Sequence, residues 1–267
     1  MYRYICIGYA LKSLVLAVKF FCIEVNLLKE RIYLSNDYFS DLLVRMAHHS
    51  TAIEGNTLTQ GETKSILIDN YIPRAMNMRE LNEVLNYKSY INQMIDDLKH
   101  DVSINNEFIK SIHAILCNNA IDGVAGRFKT IPNLVIGADF TPTPPYLVPS
   151  ALEDWRANLQ YQIELAKNTD EIIESILRQH IQFEHIHPFS DGNGRVGRAL
   201  IVYSCLQAHI LPIVIPVNDK QRYINCLNTE NMADFMTFAK ELQANELIRL
   251  QALANNNEHD LYIEVDL

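Results

Sequence analysis

Apolar positions recur at helical spacing along most of the chain. Between Met78 and Leu98, the residues Leu81, Val84, Leu85, Ile91, Ile95 and Leu98 fall on one stripe, the 3.6-residue signature of an amphipathic helix. The same periodicity, read with its start and stop signals, predicts helices over Asp37–His49, Gly61–Tyr71, Asn105–Cys117, Pro149–Lys167, Asp170–Ile186, Arg195–His209, Lys220–Asn228 and Met232–Asn255. Asp170 and Glu171 place negative charge in a first turn, where it suits the positive end of a helix dipole. One stretch breaks the pattern. Gly123–Pro149 holds Pro132, Pro142, Pro144, Pro145 and Pro149 around the short apolar run Leu134–Ile136, and it reads as a β-hairpin or extended flap. The expected fold class is therefore all-α, a helical bundle carrying one β-hairpin flap. The expected divisions are an apolar N-terminal extension over 1–33, a helical region over 34–76, the main domain over 77–255 and a solvated tail over 256–267.

The extension changes this picture little. Tyr4–Leu28 is rich in apolar residues, but Lys12, Lys19 and Glu24 interrupt it. Its longest uncharged run, Tyr4–Leu11, falls far short of the ~18 residues expected of a membrane span. It reads as a soluble extension or a packing helix, and no membrane span is expected. The 267 residues carry 23 Lys+Arg against 32 Asp+Glu, a net charge of -9. That balance creates no field that would attract phosphate backbones, so a nucleic-acid partner is not expected. Five cysteines (Cys6, Cys22, Cys117, Cys205 and Cys226) show no metal-ligand spacing and read as buried reduced thiols of a cytoplasmic protein.

Chemistry concentrates in His187-Pro188-Phe189-Ser190-Asp191-Gly192-Asn193-Gly194-Arg195-Val196-Gly197-Arg198. Pro188 disfavours helical geometry at His187, so the preceding helix should stop there. Gly192 and Gly194 permit a tight loop and a close backbone approach to a ligand. The next helix opens at that loop, and its free N–H groups form an anion site. Arg195 and Arg198, three apart, share a face and can reach one polyphosphate. Asp191 offers a hard oxygen suited to Mg²⁺ beside phosphates. His187 is the nearby group whose ordinary pKa suits a general base near neutrality. His180 and Glu184, on the helix before it, read as packing or supporting groups.

This stretch resembles the Fic family signature HxFx(D/E)GNGRxxR, with no departure at a fixed position. The expected bundle is accordingly Fic-type. Ser50-Thr51-Ala52-Ile53-Glu54-Gly55 resembles the family's inhibitory motif (S/T)xxxE(G/N), which would make 34–76 the inhibitory helix region. Ala125–Lys129 and Pro142–Pro145 resemble its flap, with Lys129 where the family often has Arg. The resemblance runs from about Leu34 to Ala254 and leaves 1–33 unexplained. The chain is expected to lack the family's winged-helix module.

The resemblance implies transfer of AMP from ATP to a Ser, Thr or Tyr hydroxyl of a target protein. His187 would be the catalytic base. Asp191 would hold Mg²⁺, with Mn²⁺ as an alternative. Gly192, Asn193, Gly194, Arg195, Val196, Gly197 and Arg198 would bind the phosphates. The flap at Ile136, Gly137, Ala138 and Asp139 would cover the nucleotide and dock the target, and Tyr223 and Asn231 would contact adenosine. Glu54, with Ser50, would hold Arg198 and inhibit transfer. The same carboxylate could instead orient water and remove AMP. A homodimer is compatible with the family. Rival readings are phosphoryl or phosphocholine transfer on this scaffold, and a restrained nucleotide-binding or toxin–antitoxin-like module.

Overall fold

The computed structural model describes residues 23–27, 30–121, 123–135, 140–256 and 263–265. Nine helices among them make the body: α1 (Asn36–Ile53), α2 (Gln60–Leu67), α3 (Met78–Lys99), α4 (Asn106–Leu116), α5 (Val148–Leu165), α6 (Thr169–Ile186), α7 (Asn193–Gln207), α8 (Lys220–Thr229) and α9 (Met232–Asn256). Every helical segment expected from periodicity is present. Side-chain caps fix the starts. Ser35, Asn77, Asn105 and Asn168 each accept a backbone N–H of the first turn, and Thr59 with Glu62 closes a capping box on α2. On α3 the buried stripe is Leu81, Val84, Tyr87, Tyr90, Ile91 and Met94, while Leu85 is 38% exposed. The stripe therefore turns slightly from the one expected, because two tyrosines fill the core in place of Leu85.

Helices α6 and α7 form the centre. α6 packs on α5, α7 and α9, and α7 also touches α1, α3 and α4. Phe183, Phe189, Val196, Tyr203 and Leu206 are buried at or below 1% exposure along this axis. Tyr203 ties α7 to the chain before α4 through the Val102 carbonyl at 2.5 Å. Among the described residues no helix is long and apolar enough to cross a membrane.

One expectation is corrected. Strands β1 (Ile23–Leu27), β2 (Glu30–Leu34) and β3 (Ile263–Val265) form an antiparallel sheet in the order β1-β2-β3. Part of the extension and part of the tail are thus paired strands, and the packing-helix reading does not hold for that part of the extension. Their sequences alternate apolar and polar residues, as in Ile23-Glu24-Val25-Asn26-Leu27, which is strand rather than helix periodicity. In the flap, the described residues 123–135 and 140–144 form no strand. Residues 136–139, the centre of the expected hairpin, lie outside the described residues. The flanking segment is strapped down. Lys129 N–H donates to the Pro188 carbonyl at 2.9 Å, and Thr143 N–H to the His185 carbonyl at 3.2 Å.

α1 is anchored to α9 by a buried polar cluster. Arg45 donates twice to Glu246, at 2.7 and 2.8 Å, and Tyr38 donates its hydroxyl to the same carboxylate. Both charged residues are 4% exposed. Asp41 also accepts from Arg45 Nε at 2.6 Å, but loss of Glu246 would leave both Nη nitrogens of the buried guanidinium without that acceptor. Glu246→Ala should therefore lower the unfolding free energy by about 3–5 kcal/mol in urea titrations followed by circular dichroism; a loss below 1 kcal/mol would show that the clamp is dispensable.

Candidate active site

α6 ends where Pro188 forbids continuation. His187 takes a left-handed conformation, φ 48° and ψ 60°, while its N–H still closes the last turn on Phe183 at 3.0 Å. Such geometry is uncommon outside glycine and persists where the surroundings enforce it. It swings the imidazole out of the helix. Nδ1 lies 3.3 Å from the Glu184 carbonyl, which fixes Nδ1 as the donor and leaves Nε2 with a free lone pair. Burial pushes the ring's pKa down to about 4, with nearby Lys129 adding to the shift against the raising contact of the Glu184 carbonyl. His187 is thus neutral, and able to accept a proton, throughout the physiological range.

The loop between α6 and α7 is held from inside. The Asn193 side chain accepts from Phe189 N–H and donates to the Phe189 carbonyl, both at 2.8 Å. The Phe189 ring stacks on His113 at 3.8 Å with 5° between planes. His113 Nδ1 accepts from Gly126 N–H at 2.8 Å, so its Nε2–H donates to the Asp191 carbonyl at 3.0 Å. One histidine thereby joins the base of the flap to the loop. Gly192 has φ 79°, and a Cβ there would meet Cys117 Sγ at 2.6 Å; only glycine fits. It also gives α7 no side-chain cap, so the first N–H groups of that helix face outward to any anion.

Two arginines extend this positive end. Arg195 is 1% exposed, and its Nε and Nη1 have no hydrogen-bond partner among the described residues. Its ion-pair neighbours, Glu83 and Asp191, both stand at 3.7 Å. A buried guanidinium with idle donors is costly unless a ligand completes it. Arg198 is satisfied by α1. It donates to Ser50 Oγ at 2.9 Å, to the Ser50 carbonyl at 3.0 Å and to Glu54 Oε1 at 2.6 Å. The carboxylate grips through one oxygen on Nη2, while Ser50 takes Nε and shares Nη2. A Cβ on Gly194 would fall 2.5 Å from that same Oε1, so Glu54 lies directly over the start of α7. Burial works to raise the Glu54 carboxyl, yet Arg198, backed by Arg195 and Lys220, holds it below its ordinary value. Lys220 also donates to the Ile53 carbonyl at 2.6 Å, clasping the end of α1.

Of these groups Glu54, His187, Gly194, Arg198 and Lys220 line a cavity of about 380 Å³, together with Glu184 and Tyr223; Arg195 is not among its lining residues. Asp191 stands at its loop with a side chain 58% exposed. Three expected contacts are engaged elsewhere in the fold. Val196 spends its N–H on the Gly192 carbonyl and its side chain in the core. Gly197 faces His180 and Glu184 on α6. Asn231 accepts from Asp234 N–H at the start of α9, and Asn228 lines the cavity instead. Tyr223 is 1% exposed and its hydroxyl meets His180 Nε2 at 2.8 Å. Ile136, Gly137, Ala138 and Asp139 lie outside the described residues, though the flanking Val135 and Phe140 reach the cavity. Sequence reasoning missed His113 and Lys220, whose partners are remote in the chain. It also gave Glu184 only a supporting place.

The electrostatics carry a direct expectation. In an NMR pH titration the His187 ring should gain its proton near pH 4 rather than near its unperturbed ~6.5, since burial penalises the charged form. A midpoint at 6–7 would mean that the ring is hydrated and free.

Comparison with known proteins agrees with this geometry. Residues 103–205 match the Fic/DOC family. The protein adenylyltransferase fic-1 of Caenorhabditis elegans is 31% identical over 196 residues, covering 72% of this chain and 37% of that protein. The protein adenylyltransferase Fic of Nematostella vectensis is 28% identical over 230 residues, covering 83% of this chain and 50% of that one. The chain therefore spans half or less of the length of these curated relatives. The solved structure of Fic-1 (residues 134–508) from C. elegans superposes with a TM-score of 0.69 at 26% identity, covering 81% of this chain and 64% of that chain. A Fic domain containing signaling protein from Bacteroides thetaiotaomicron shares the fold at a TM-score of 0.67 and 22% identity, covering 79% of this chain and 86% of that one. With residues 103–205 matched to that family and the helical frame matched to solved Fic structures, the chain carries a Fic domain.

Proposed function

We propose that this chain is a protein adenylyltransferase, moving AMP from ATP onto a Ser, Thr or Tyr hydroxyl of a target protein, and that Glu54 restrains it. The observation that carries the reading is the placement of the Glu54 carboxylate on Arg198, over the glycine-lined start of α7 and beside a neutral His187. A carboxylate held there occupies the position an anionic phosphate would take.

Each group has a part. His187 Nε2 takes the proton of the incoming hydroxyl. The open N–H groups of α7 and the idle donors of Arg195 hold the polyphosphate, and Arg198 grips its far end once Ser50 and Glu54 let go. Transfers of this kind depend on positioning and charge stabilisation. Asp191, an exposed single carboxylate beside an anion site, suits Mg²⁺ (or Mn²⁺), which favours one or two protein oxygens plus substrate phosphates. The absence of any larger ligand cluster among the described residues fits that type of site. When bound, the ion supplies charge neutralisation between phosphates. Ile131, Leu134 and Tyr146 are 75–81% exposed on the flap and its flank, which supports docking of the target there. The buried free thiols Cys117, Cys205 and Cys226 support a reducing, cytoplasmic setting.

The test is incubation with α-labelled ATP and Mg²⁺, read by gel and mass spectrometry. Glu54→Gly should raise self-labelling on the order of 10–100-fold, because a charge-assisted hydrogen bond is worth about 1.5–3 kcal/mol. Adding His187→Ala should cut the released activity by about 10²–10⁴-fold. An added mass of phosphate or phosphocholine, or no turnover in the released variant, would sink the assignment.

A further inference from the structure

Glu184 is a buried acid that the fold accommodates without satisfying. Among the described residues it is the carboxylate with a buried oxygen, Oε1, that has no hydrogen-bond partner. Such a group costs stability and calls for a reason. The neighbouring helix leaves room for it: a Cβ on Gly197 would come within 2.5 Å of Oε1. Its other oxygen, Oε2, stands 3.9 Å from His187 Nδ1. Glu184 and His187 line the same cavity.

We infer that Glu184 is a positioning residue for His187: its carboxylate faces the Nδ1–H edge of the ring and balances the charge the ring acquires on taking a proton. The inference rests on the reading of His187 as the base. In the transfer step the hydroxyl O–H bond breaks and its proton moves to Nε2. The new O–P bond to the α-phosphate forms as the bond to pyrophosphate breaks, and pyrophosphate leaves with that electron pair. The ring is then an imidazolium with hydrogen on both nitrogens. Nδ1–H rests on the Glu184 carbonyl at 3.3 Å, and a small rotation of the Glu184 side chain brings the carboxylate to it. An anion so close favours the charged ring.

The ionisation of Glu184 is set by its surroundings. Burial raises its carboxyl to about 7, with Arg198 of α7 pulling it down and Glu54 of α1 pushing it up. His180 of α6 and Tyr223 of α8 also face it, joined to each other by a hydrogen bond. The raised value means that the carboxylate exists above about 7 and is lost as pH falls through it. The ring itself, with a pKa near 4, stays neutral across this step. Removing Glu54 removes its upward push, so the midpoint moves lower in the released variant.

Two readouts test the idea. In the wild-type chain, NMR signals of the His187 ring should show an inflection near pH 7 with no gain of charge, and Glu184→Gln should erase it. In the Glu54→Gly background, Glu184→Gln should lower kcat ten- to a hundredfold, leave KM for ATP unchanged, and remove the acid limb of the rate profile. Absence of the NMR inflection, or its survival in the Gln variant, overturns the inference; so does a released Gln variant that keeps the parent's kcat and limb. If the Gln variant does not fold, the wild-type titration decides alone. If Glu54→Gly transfers nothing, the adenylyltransferase reading fails, while the titration still reports whether the carboxyl and the ring are coupled.

Discussion

Everything at the site depends on how the chain reverses between α6 and α7. Pro188 stops one helix, His187 is forced into a left-handed turn, and Asn193 rivets both polar groups of Phe189. The result is a helix start with no cap of its own, aimed at the space the imidazole faces. The imidazole and the open helix start are thereby fixed relative to each other by backbone geometry rather than by long flexible side chains. The proposed transfer would draw on such preorganisation. The stacked His113 extends the same rigidity to the root of the flap.

The positive charge gathered there needs an answer in the resting protein. α1 supplies it. Ser50 and Glu54, one turn apart, fill the fork of Arg198, while Lys220 holds the end of the same helix. Arg195 keeps idle donors. The resting site is thus half satisfied, with one arginine occupied and the other waiting. Charges desolvated to this degree are unfavourable unless paired, so Arg198 without an acceptor would be costly.

Much of this was legible in the sequence. The nine helices followed from periodicity, and the loop followed from Pro188, Gly192 and Gly194, because these residues act through local backbone geometry. The small sheet escapes the pattern because an apolar stretch interrupted by Lys12, Lys19 and Glu24 reads as a soluble extension or a packing helix, although Ile23-Glu24-Val25-Asn26-Leu27 alternates with period two. The rotation of the α3 stripe away from Leu85 depended on which neighbours α3 meets, and tyrosines look half polar in a pattern. Asn231 and Val196 show the limit of carrying roles by position: one caps a helix and the other is core. His113, Lys220 and the weight of Glu184 needed three dimensions, since what gives them meaning lies across the fold or in an unanswered oxygen.

The clamp of Arg45 and Tyr38 on Glu246 has a further consequence. It grips the first two-thirds of α1, whereas the restraint on Arg198 sits in the final turn, directly before Gly55 with its φ of 101°. Fraying of that turn alone would free the arginine while the rest of the helix stayed docked. Helix ends open at small cost compared with global unfolding. On the proposed reading of Glu54 as a restraint, release would need only that last turn to open, with the bundle left intact.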